Sequence, residues 1–591
     1  MLYGINSPHS LKLWLCEERL SSPAAAEMNV LGIHIGHDSG AALIRDGRIV
    51  ADAAEERFTR VKHYCGLPIH SVEYCLRSQG LAVTDLDAVA VPTLSSVPDL
   101  NFLFALDGAR REPKTKARQT LDFVRAIMKK ADVKPPLYIK NFPLSRKTEI
   151  VHVEHHLAHA ASAYYTSGTR DKQLLVTIDG AGDGLSIGLW RGEHGRITRL
   201  HEFPTSASLG WFYSNVTEAL GWWHGDGEGK TMGLAPYGDY NKCQGVLDRF
   251  TPKFQNGELI ESHDFGRNCY WNENGAIQWH LDEAADIQKL VKEYGAEHIA
   301  AEAQRVLEEQ VKNIIFPWME REQTRHLSTA GGVMLNVKLN QRLWESGRID
   351  QHHTYPNPGD AGLAAGAALY VYHQANPDAP IYGLADLYFG PEFSDAEIEQ
   401  ALKLRRIEYR RVEDVTTFAA EQLARDRIVA WFQGRMESGP RALGARSILM
   451  SANRAENKDI INARVKFREA FRPFCPSLLW ERKEEYLENA RDEFFMITSF
   501  TCKPSRRAKV PAVVHADQTL RPQTVKSDFH PRFWNLINEF GKLTGEYLLL
   551  NTSFNIMGEP IVCHPREAIR CFYDNGLDTL ILGNFILEKK A

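Results

Sequence analysis

The sequence lacks the features that would mark several specialised protein classes. Its 591 residues contain no apolar run near the length of a membrane helix, which needs roughly 20 residues. Nine scattered cysteines without a C-x-x-C pair argue against a disulfide framework or a zinc finger, and they favour a reducing cytoplasm. A net charge of -5 gives no overall electrostatic reason to bind nucleic acid or an anionic membrane. The composition, 43% hydrophobic and 25% charged, is typical of a globular protein with roughly two to four domains.

Two segments share one pattern of strands and turns. Residues 29–53 contain an apolar strand, a turn at His37, a second strand, an Asp46-Gly47 turn and a third strand. Residues 174–200 repeat this order. Asp-Gly between apolar runs is a strong hairpin signal. The repeat predicts a duplicated α/β core with a cleft between its halves, as in actin-like ATPases, and two unrelated meanders are the alternative.

Composition divides the rest of the chain. Residues 1–27 are interpreted as an N-terminal extension, because they lack the basic and apolar regions of a signal peptide, and Met28 is a candidate natural start. Proline and asparagine cluster between residues 356 and 380, which predicts a linker. We therefore expect one domain over residues 28–379 and a second over residues 380–591.

Helices are predicted on both sides of this boundary. A long helical stretch is expected from residue 285 to residue 320. Ser394 and Glu397 have the spacing of a capping box, which predicts a helix that begins after Ser394.

The second domain contains a local excess of positive charge. Between Arg435 and Arg472 there are nine Lys or Arg residues and four Asp or Glu residues, a local charge of +5. Glycines and Pro440 interrupt the segment, so it does not read as one solvated helix face. The mixture favours a phosphate-binding site over surface decoration.

A histidine pair in VEHHLAHAASAYY has the spacing of a metal site. His155 and His159 are four residues apart, which puts both imidazoles on one face of a helix. His152 and His156 have the same spacing, so the sequence alone leaves both pairs open, and surface or core histidines are the alternative to metal ligands.

Two aspartates could complete this metal site. Asp179 is predicted in the turn after a strand, and Asp360 stands in PGDAG before a helix of small residues. A mixed His/Asp set suits iron(II), manganese or zinc better than magnesium or calcium.

Two glycine-rich segments could approach a nucleotide. In GEGKTMGLAPYG, residues 227–238, glycines would let backbone N–H groups reach phosphate, and Lys230 could neutralise its charge. The segment resembles a Walker A loop but lacks its spacing. AGGVMLN, residues 330–336, has the alternative explanation of tight packing at Gly331 and Gly332. Two such loops in a duplicated core would suit an adenine nucleotide.

An ordered series of motifs carries a family resemblance over nearly the whole chain. The motifs of the first domain are HDSGAAL, EERFTRVKH, HHLAHAASAYY, SLGWFY, GKTMGLAPYG, GGVMLN and GDAGLAAGAAL. Those of the second are GRMESGPRALGARSIL, VKFREAFRPF, LRPQTV and NTSFNIMGEPIV. The chain resembles the carbamoyltransferases of the NodU/CmcH family.

The resemblance implies two catalytic units. The first is similar to the TsaD family and has an actin-like fold; the second is similar to YrdC, a twisted open α/β fold. The second would condense carbamoyl phosphate with ATP, accompanied by Mg²⁺, to carbamoyl adenylate and release pyrophosphate. The first would transfer the carbamoyl group to a hydroxyl of a small-molecule acceptor, such as an antibiotic precursor, other secondary metabolite or glycoside. It would do so with bound Fe²⁺ or a similar divalent transition metal.

The resemblance also assigns residues. It selects His155, His159, Asp179 and Asp360 as metal ligands and His37 as the general base. In the first domain it places the nucleotide or adenylate at Lys62, Ser208, Lys230, Gly332 and Asn336. In the second it places carbamoyl phosphate and ATP at Arg441, Lys466, Arg472, Arg521, Thr524 and Asn551.

One position departs from the family pattern. Ser438 stands in GRMESGPRALG where an aromatic residue is expected. The loss of a ring predicts a wider pocket wall with every phosphate contact kept.

Other functions compete with this interpretation. A tRNA threonylcarbamoyl-type enzyme would need a basic RNA surface beyond residues 435–472, and a HypF-type carbamoyltransferase would carry Cys-rich zinc fingers. A non-catalytic nucleotide sensor would need neither the His/Asp set nor the arginines. We expect a cytoplasmic enzyme that binds neither nucleic acid nor membrane, and family habit suggests a homodimer.

Overall fold

The computed structural model describes residues 28–94, 148–271 and 277–589. The predicted N-terminal extension, residues 1–27, lies outside these ranges. The cysteines whose side chains are described, among them Cys75 and Cys475, are free thiols. In the part of the chain that the structure describes, no helix is both long enough and apolar enough to cross a membrane.

The first domain is built from fourteen strands. They are β1 (Asn29–His34), β2 (Gly40–Arg45), β3 (Arg48–Ala54), β4 (Ala88–Val91), β5 (Glu149–His152), β6 (Gln173–Gly182), β7 (Leu185–Glu193), β8 (Arg196–Pro204), β9 (Lys253–Gln255), β10 (Glu258–Glu261), β11 (Arg267–Trp271), β12 (Ile277–Leu281), β13 (His326–Ala330) and β14 (Gln351–Thr354). Its helices are Glu56–Thr59, Ile69–Ser78, His155–Tyr164, Leu209–Ala219, Glu228–Leu234, Ala284–Tyr294, Ala296–Arg321, Val337–Trp344 and Leu363–Ala375. This count covers the described residues alone.

Two five-stranded sheets repeat one topology. The first has the order β3-β2-β1-β4-β5, and the second has the order β14-β13-β6-β7-β8. Each begins with three antiparallel strands, and two further strands then run parallel to the first. This is the duplicated ribonuclease-H-like plan of the actin-like fold, so the predicted duplication is confirmed.

Two helices of small residues cross between the sheets. His155–Tyr164 packs against Leu363–Ala375, and both contact the central strands. A Cβ atom on Gly366 would lie 2.0 Å from the carbonyl oxygen of Ala158, so this crossing requires a glycine. The beginnings of the two helices therefore lie close together, at the place where the site described below is formed.

The predicted long helix is divided in two. The expectation of one helix over residues 285–320 is wrong, because Ala284–Tyr294 and Ala296–Arg321 are separated by Gly295. Gly295 has a φ of 97°, a conformation that interrupts a right-handed helix and that glycine adopts readily.

Asp179 lies in a strand and not in the predicted turn. Strand β6 continues to Gly182, and the register of the β6–β7 ladder shifts between Ile178 and Gly182. An irregularity of this kind releases a residue from regular pairing and redirects its side chain. The prediction failed because the glycines after Asp179 look like a turn signal.

The second domain contains one large mixed sheet. Its strands are β15 (Arg410–Arg411), β16 (Val429–Phe432), β17 (Arg446–Ser451), β18 (Cys475–Leu479), β19 (Phe500–Thr501), β20 (Thr519–Leu520), β21 (Gln523–Val525), β22 (Leu548–Ser553), β23 (Thr579–Leu582) and β24 (Phe585–Glu588). Eight of them form an open sheet of order β15-β24-β23-β16-β17-β22-β18-β21, and β19 pairs with β20. Its helices are Asp395–Leu404, Val415–Ala424, Glu456–Ile461, Lys483–Tyr486, Pro504–Arg507, Pro531–Thr544 and Pro565–Tyr573.

Both faces of this sheet are buried. Ile448 and Leu449 are neighbours in β17 and belong to different core clusters, because successive side chains of a strand point to opposite faces. The capping box of Ser394 and Glu397 is confirmed, and it begins the helix Asp395–Leu404. The predicted boundary near residue 380 falls between that helix and the end of Leu363–Ala375, and the domain limits stay a prediction.

Arginines of the first domain donate to backbone carbonyls of the second. Nη2 of Arg57 lies 3.0 Å from the oxygen of Gly439, and Nη1 of Arg60 lies 2.7 Å from the oxygen of Ile561. These contacts join the EERFTRVKH motif to the GRMESGPRALG motif.

Ser438 is part of this interface. Its hydroxyl donates to the buried carboxyl group of Asp52, and its backbone N–H donates to the oxygen of Leu387 at 2.7 Å. The prediction that Ser438 widens a pocket wall is therefore wrong, because the side chain contacts a strand of the first domain.

Candidate functional site

Four side chains from separate parts of the first domain converge. His155 and His159 are one turn apart on the helix His155–Tyr164 and present their Nε2 atoms to the same space. His159 Nε2 lies 3.0 Å from Oδ2 of Asp179 and 3.6 Å from Oδ1 of Asp360. One ligand atom from each of the four residues lies within 4.8 Å of the others, so they form a candidate metal site.

The local backbone explains this convergence. Asp179 is directed by the irregular end of β6, and Asp360 begins the short turn Asp360–Gly362 that precedes the helix Leu363–Ala375. A Cβ atom on Gly182 would lie 2.2 Å from the ring of His155, so the strand can pass the imidazole only with glycine there.

The electrostatics of this cluster fit a cation. Burial lowers the pKa of His155, but the charges of Asp360 and Asp179 outweigh burial and raise the pKa to about 9. Burial raises the pKa of Asp179, but the nearby imidazoles of His155 and His159 hold it well below the usual range. Among the described residues, His155 Nε2 is buried without a hydrogen-bond partner. Two imidazoles and two carboxylates are a donor set that suits a divalent transition metal.

The alternative histidine pair does not face this cluster. His152 ends strand β5, and its Nδ1 lies 2.8 Å from the oxygen of Thr93. His156 is fully buried, with Nδ1 2.9 Å from Oγ1 of Thr177. Because His152 is on a strand, its spacing to His156 does not place both imidazoles on one helical face.

A second cluster surrounds His37. Oδ2 of Asp38 lies 2.9 Å from Nδ1 of His37, and Oδ1 lies 2.7 Å from Nδ1 of His63. His63 Nε2 lies 3.5 Å from Oδ1 of Asp226, which Lys62 contacts at 2.6 Å. The His37 side chain is 51% exposed, so a substrate can reach it.

Burial and charge act in opposite directions on His37. The partial shielding of this half-exposed ring from water lowers its pKa, but the charge and hydrogen bond of Asp38 outweigh that effect and raise the pKa. The result is a basic, accessible imidazole, which is what a general base requires.

The predicted nucleotide residues Ser208 and Gly332 lie beside Asp179. Ser208 caps the helix Leu209–Ala219 by accepting from the N–H of Trp211 at 3.0 Å, and it donates to the oxygen of Gly180 at 2.6 Å. The backbone N–H of Gly332 lies 3.2 Å from Oδ2 of Asp179. These two motifs therefore frame the candidate metal site.

Asn336 performs a structural task nearby. Its side chain accepts from the N–H of Leu339 at 3.0 Å and caps the helix Val337–Trp344. Nδ2 also donates to Oε1 of Gln304 at 2.9 Å, so the buried amide is held by protein groups.

Lys230 does not stand in a phosphate loop. It belongs to the helix Glu228–Leu234, so the prediction of a glycine loop over GEGKTMG is wrong. Its ammonium lies 2.9 Å from Oε1 of Glu469 in the second domain. Glycine favours a loop in isolation, but packing of Met232 and Leu234 stabilises helix here.

The four predicted basic residues of the second domain, Arg441, Lys466, Arg472 and Arg521, form one region of positive charge, the arginine field. Burial, together with the charges of the neighbouring Arg521 and Arg472, lowers the pKa of Arg441 to about 9. Burial also lowers the pKa of Lys466 to about 7, with contributions from Arg468 and Arg472. Cations that depress each other's pKa in this way create a site for a polyanion.

Lys466, Asn551 and Thr524 are also bound to the protein framework. Lys466 Nζ lies 2.8 Å from Oδ1 of Asn555. Nδ2 of Asn551 donates to the oxygen of Ala442 at 3.1 Å, next to Arg441. Thr524 Oγ1 accepts from a backbone N–H at 3.1 Å, on β21 at the sheet edge. Each of these three side chains is therefore held by hydrogen bonds to other protein groups.

Glu469 joins the two sites. It binds Lys230 of the first domain and lies 3.8 Å from Nη1 of Arg472. Trp222 and Phe471 also meet across this boundary, with ring centroids 5.8 Å apart. The arginine field and the His37 cluster therefore face one interface, and Asp226 of that cluster influences Arg472.

Sequence reasoning missed Asp38, His63, Asp226 and Arg468. Asp38 and His63 lie inside HDSGAAL and EERFTRVKH, so the motifs themselves were the available signal. Arg468 lies in VKFREAFRPF, where burial lowers its pKa to about 9 with help from Arg472 and Arg521. For Asp226, the adjacent Lys62 contact depends on the fold, and no sequence signal marks it.

Two family models match the chain. "Carbamoyltransferase N-terminus" matches residues 29–369, and "Carbamoyltransferase C-terminus" matches residues 420–589. Nodulation protein NolNO of Sinorhizobium fredii is 36% identical over 565 residues, which cover 94% of this chain and 79% of the relative. Nodulation protein NolO of Bradyrhizobium diazoefficiens is 36% identical over 456 residues, which cover 74% of this chain and 79% of the relative.

Solved structures show weaker similarity. The activator of 2-hydroxyisocaproyl-CoA dehydratase from Clostridium difficile has 14% identity and a TM-score of 0.32, covering 59% of this chain and 96% of that chain. HypF in its phosphate- and nucleotide-bound form has 13% identity and a TM-score of 0.30, covering 58% of this chain and 55% of that chain. These scores are too low to support an argument about this chain.

Proposed function

The chain belongs to the carbamoyltransferase family, and from that premise we propose that it is an ATP-dependent O-carbamoyltransferase. The donor would be carbamoyl phosphate, and the acceptor would be a hydroxyl of a small molecule, of the secondary-metabolite or glycoside class. The observation that carries the proposal is the pairing of a His/Asp cluster with an arginine field across one interface, joined by Glu469.

The second domain would activate the carbamoyl group. Hydrolysis of carbamoyl phosphate gives carbamate and inorganic phosphate; a carbamate oxygen then attacks the α-phosphorus of ATP, and pyrophosphate leaves. Arg441, Arg472 and Arg521 would bind the phosphates, because planar guanidinium groups can hold two oxygens each. The same cations would stabilise the charge that develops on pyrophosphate.

The first domain would carry out transfer. Carbamoyl adenylate is a better electrophile than a carbamate, because AMP is a good leaving group. His37 Nε2 would take the proton of the acceptor hydroxyl while the hydroxyl oxygen bonds to the carbamoyl carbon. The bond from that carbon to the AMP oxygen then breaks.

His155, His159, Asp179 and Asp360 would hold the divalent metal. A bound divalent cation supplies Lewis acidity toward acyl or phosphoryl oxygens. The four side chains are held by one helix, a strand end and the turn before a second helix, which keeps the donor atoms in place independently of the acceptor.

The first test is release of pyrophosphate. Purified protein should release pyrophosphate from ATP only when carbamoyl phosphate is present, and Arg441→Ala should abolish this release. Arg454→Ala is the matched control, because Arg454 is exposed and pairs with Asp426 outside the arginine field. Release that is independent of carbamoyl phosphate would contradict the proposed activation, and a sensor without turnover would release none.

A further inference from the structure

Asp38 contacts two imidazoles at once. One carboxylate oxygen lies 2.9 Å from Nδ1 of His37, and the other lies 2.7 Å from Nδ1 of His63. The two rings stack, with centroids 5.0 Å apart and an interplanar angle of 16°. Both Nδ1 atoms are therefore directed to Asp38, and Nε2 of His37 is left for a substrate.

The backbone holds both partners in place. Asp38 has a φ of 60° in the turn between β1 and β2, and His63 has a φ of 52°. Such left-handed conformations are uncommon outside glycine and persist where the surroundings maintain them. The N–H of His63 also donates to Oε2 of Glu56 at 2.8 Å.

The cluster has a defined charge. Burial lowers the pKa of His63, but hydrogen bonds to Asp226 and Asp38 raise it to about 10. Burial raises the pKa of Asp38, but the two histidines hold it well below its usual range. At neutral pH, His63 is consequently a cation between two carboxylates, and Asp38 is ionised.

We propose that Asp38 and His63 are positioning residues for His37. Asp38 accepts the Nδ1–H of His37, which fixes the tautomer whose Nε2 accepts a proton, and the His63 cation offsets part of the charge of Asp38. The inference rests on the proposed role of His37 as the base of the transfer step. It adds an Asp38–His37 pair, the dyad, and the positive charge of His63, which together set the pKa of this base.

The two partners act on His37 in opposite directions. The charge of Asp38 raises the pKa of His37, and the charge of His63 lowers it. Asp360 also raises it, while Asp226, which Lys62 contacts, raises the pKa of His63. Removal of Asp38 should therefore lower the pKa of His37, and removal of His63 should raise it.

Hydrogen–deuterium exchange at the imidazole C2 position, followed by mass spectrometry, tests this without any substrate. We expect Asp38→Asn to lower the pKa of His37 and His63→Gln to raise it. Asp46→Asn is the matched control, since Asp46 also has a positive φ, 50°, at the other end of β2. If the pKa of His37 shifts in the same direction in both variants, or shifts in the control, the proposal that Asp38 and His63 act oppositely on His37 is overturned.

Activity supplies the second readout. Asp38→Asn should slow carbamoyl transfer by about 10²–10⁴-fold, as loss of general-base function does, with pyrophosphate formation and the acceptor KM unchanged. Equal loss of both signals would show a structural defect and contradict positioning. If His37→Ala keeps full transfer, the proposed base is wrong, whereas the opposite pKa shifts would still establish the dyad.

A metal interpretation makes a different prediction. The ligand atoms of His37, Asp38 and His63 lie within 4.8 Å of one another, so these residues could also bind an ion. If they do, His63→Gln should lower the metal content of the protein by one equivalent. Such a loss would overturn positioning, and an unchanged metal content supports it.

Discussion

The two candidate sites differ in whether their buried charged side chains have partners of opposite charge. In the candidate metal site and the His37 cluster of the first domain, each histidine has a carboxylate partner, and the pKa of His155 rises to about 9 despite its burial. In the second domain, burial and the neighbouring cations together lower the pKa of Arg441 to about 9. Among Arg441, Arg468, Arg472 and Arg521, within the described residues, only Arg472 has a carboxylate ion-pair partner, Glu469.

The difference fits the ligand that we propose for each site. Paired imidazoles and carboxylates can exchange protons or bind one cation without leaving an uncompensated charge. Clustered guanidinium groups are destabilised until an anion joins them, so their stabilisation comes with a phosphate ligand. The predictions below test this contrast, beginning with the largest expected effect.

Removal of both metal histidines should have the largest effect. The double variant His155→Ala, His159→Ala should lose its bound transition metal and carbamoyl transfer, because only two carboxylates remain of the donor set. Elemental analysis measures the metal, and the exposed His194→Ala is the control. An unchanged metal content in the double variant would remove the ligand assignment.

The next prediction separates the two sites. Arg472→Ala should lose pyrophosphate release yet transfer carbamoyl from supplied carbamoyl adenylate, and His37→Ala should do the reverse. The loss of transfer in His37→Ala should be about 10²–10⁴-fold. Mixing the two variants should restore product poorly, since a labile intermediate would pass across the Glu469 interface and not through water.

Pyrophosphate and carbamoylated product must be followed separately in both variants. Arg454→Ala again serves as the control for general effects of removing an arginine. If each variant loses both signals equally, the two sites are one composite centre and the contrast between them is wrong.

A smaller effect is expected when the charge at Arg472 is kept and its geometry is changed. Arg472→Lys should weaken use of carbamoyl phosphate by about 10- to 100-fold, because an ammonium group cannot replace a two-point contact worth about 1.5–3 kcal/mol. The apparent KM for carbamoyl phosphate measures it, with Arg454→Lys as control. A normal KM would show that Arg472 contributes charge only.

The features that could be predicted from the sequence are those that depend on neighbouring residues in the chain. The repeated strand pattern, the capping box at Ser394 and the helical spacing of His155 and His159 depend on residues close in the chain, and the structure has them. The Asp179 irregularity was missed, because a bulge and a turn both use glycine.

Contacts distant in sequence could not be predicted. Lys230 meets Glu469 only because two domains pack together, and Ser438 meets Asp52 for the same reason. The His37–Asp38–His63 stack depends on two turns whose relative position is set by the sheet. In each case the motif marked the residue, and packing decided its partner.

The last prediction concerns the interface between the two regions and should leave activity nearly unchanged. Burial raises the pKa of Asp52 and the hydrogen bond from Ser438 offsets this only in part, so that the pKa is about 7. The folded protein therefore holds a proton on Asp52 that the unfolded chain releases at lower pH, so the stabilisation is full below about pH 4 and is lost as pH rises through 7.

Asp52→Asn keeps the shape and removes the titration. The gain in stability of this variant over the wild type should be about 1–2 kcal/mol larger at pH 8 than at pH 5. The reason is that the buried wild-type carboxyl group is charged only at the higher pH. Thermal unfolding at both pH values measures this, with Asp46→Asn as the control. Ser438→Ala should instead destabilise the protein at pH 8 relative to pH 5, since it leaves the Asp52 carboxylate without its hydroxyl donor. A gain at pH 8 that equals the gain at pH 5 would show that Asp52 does not titrate at the interface.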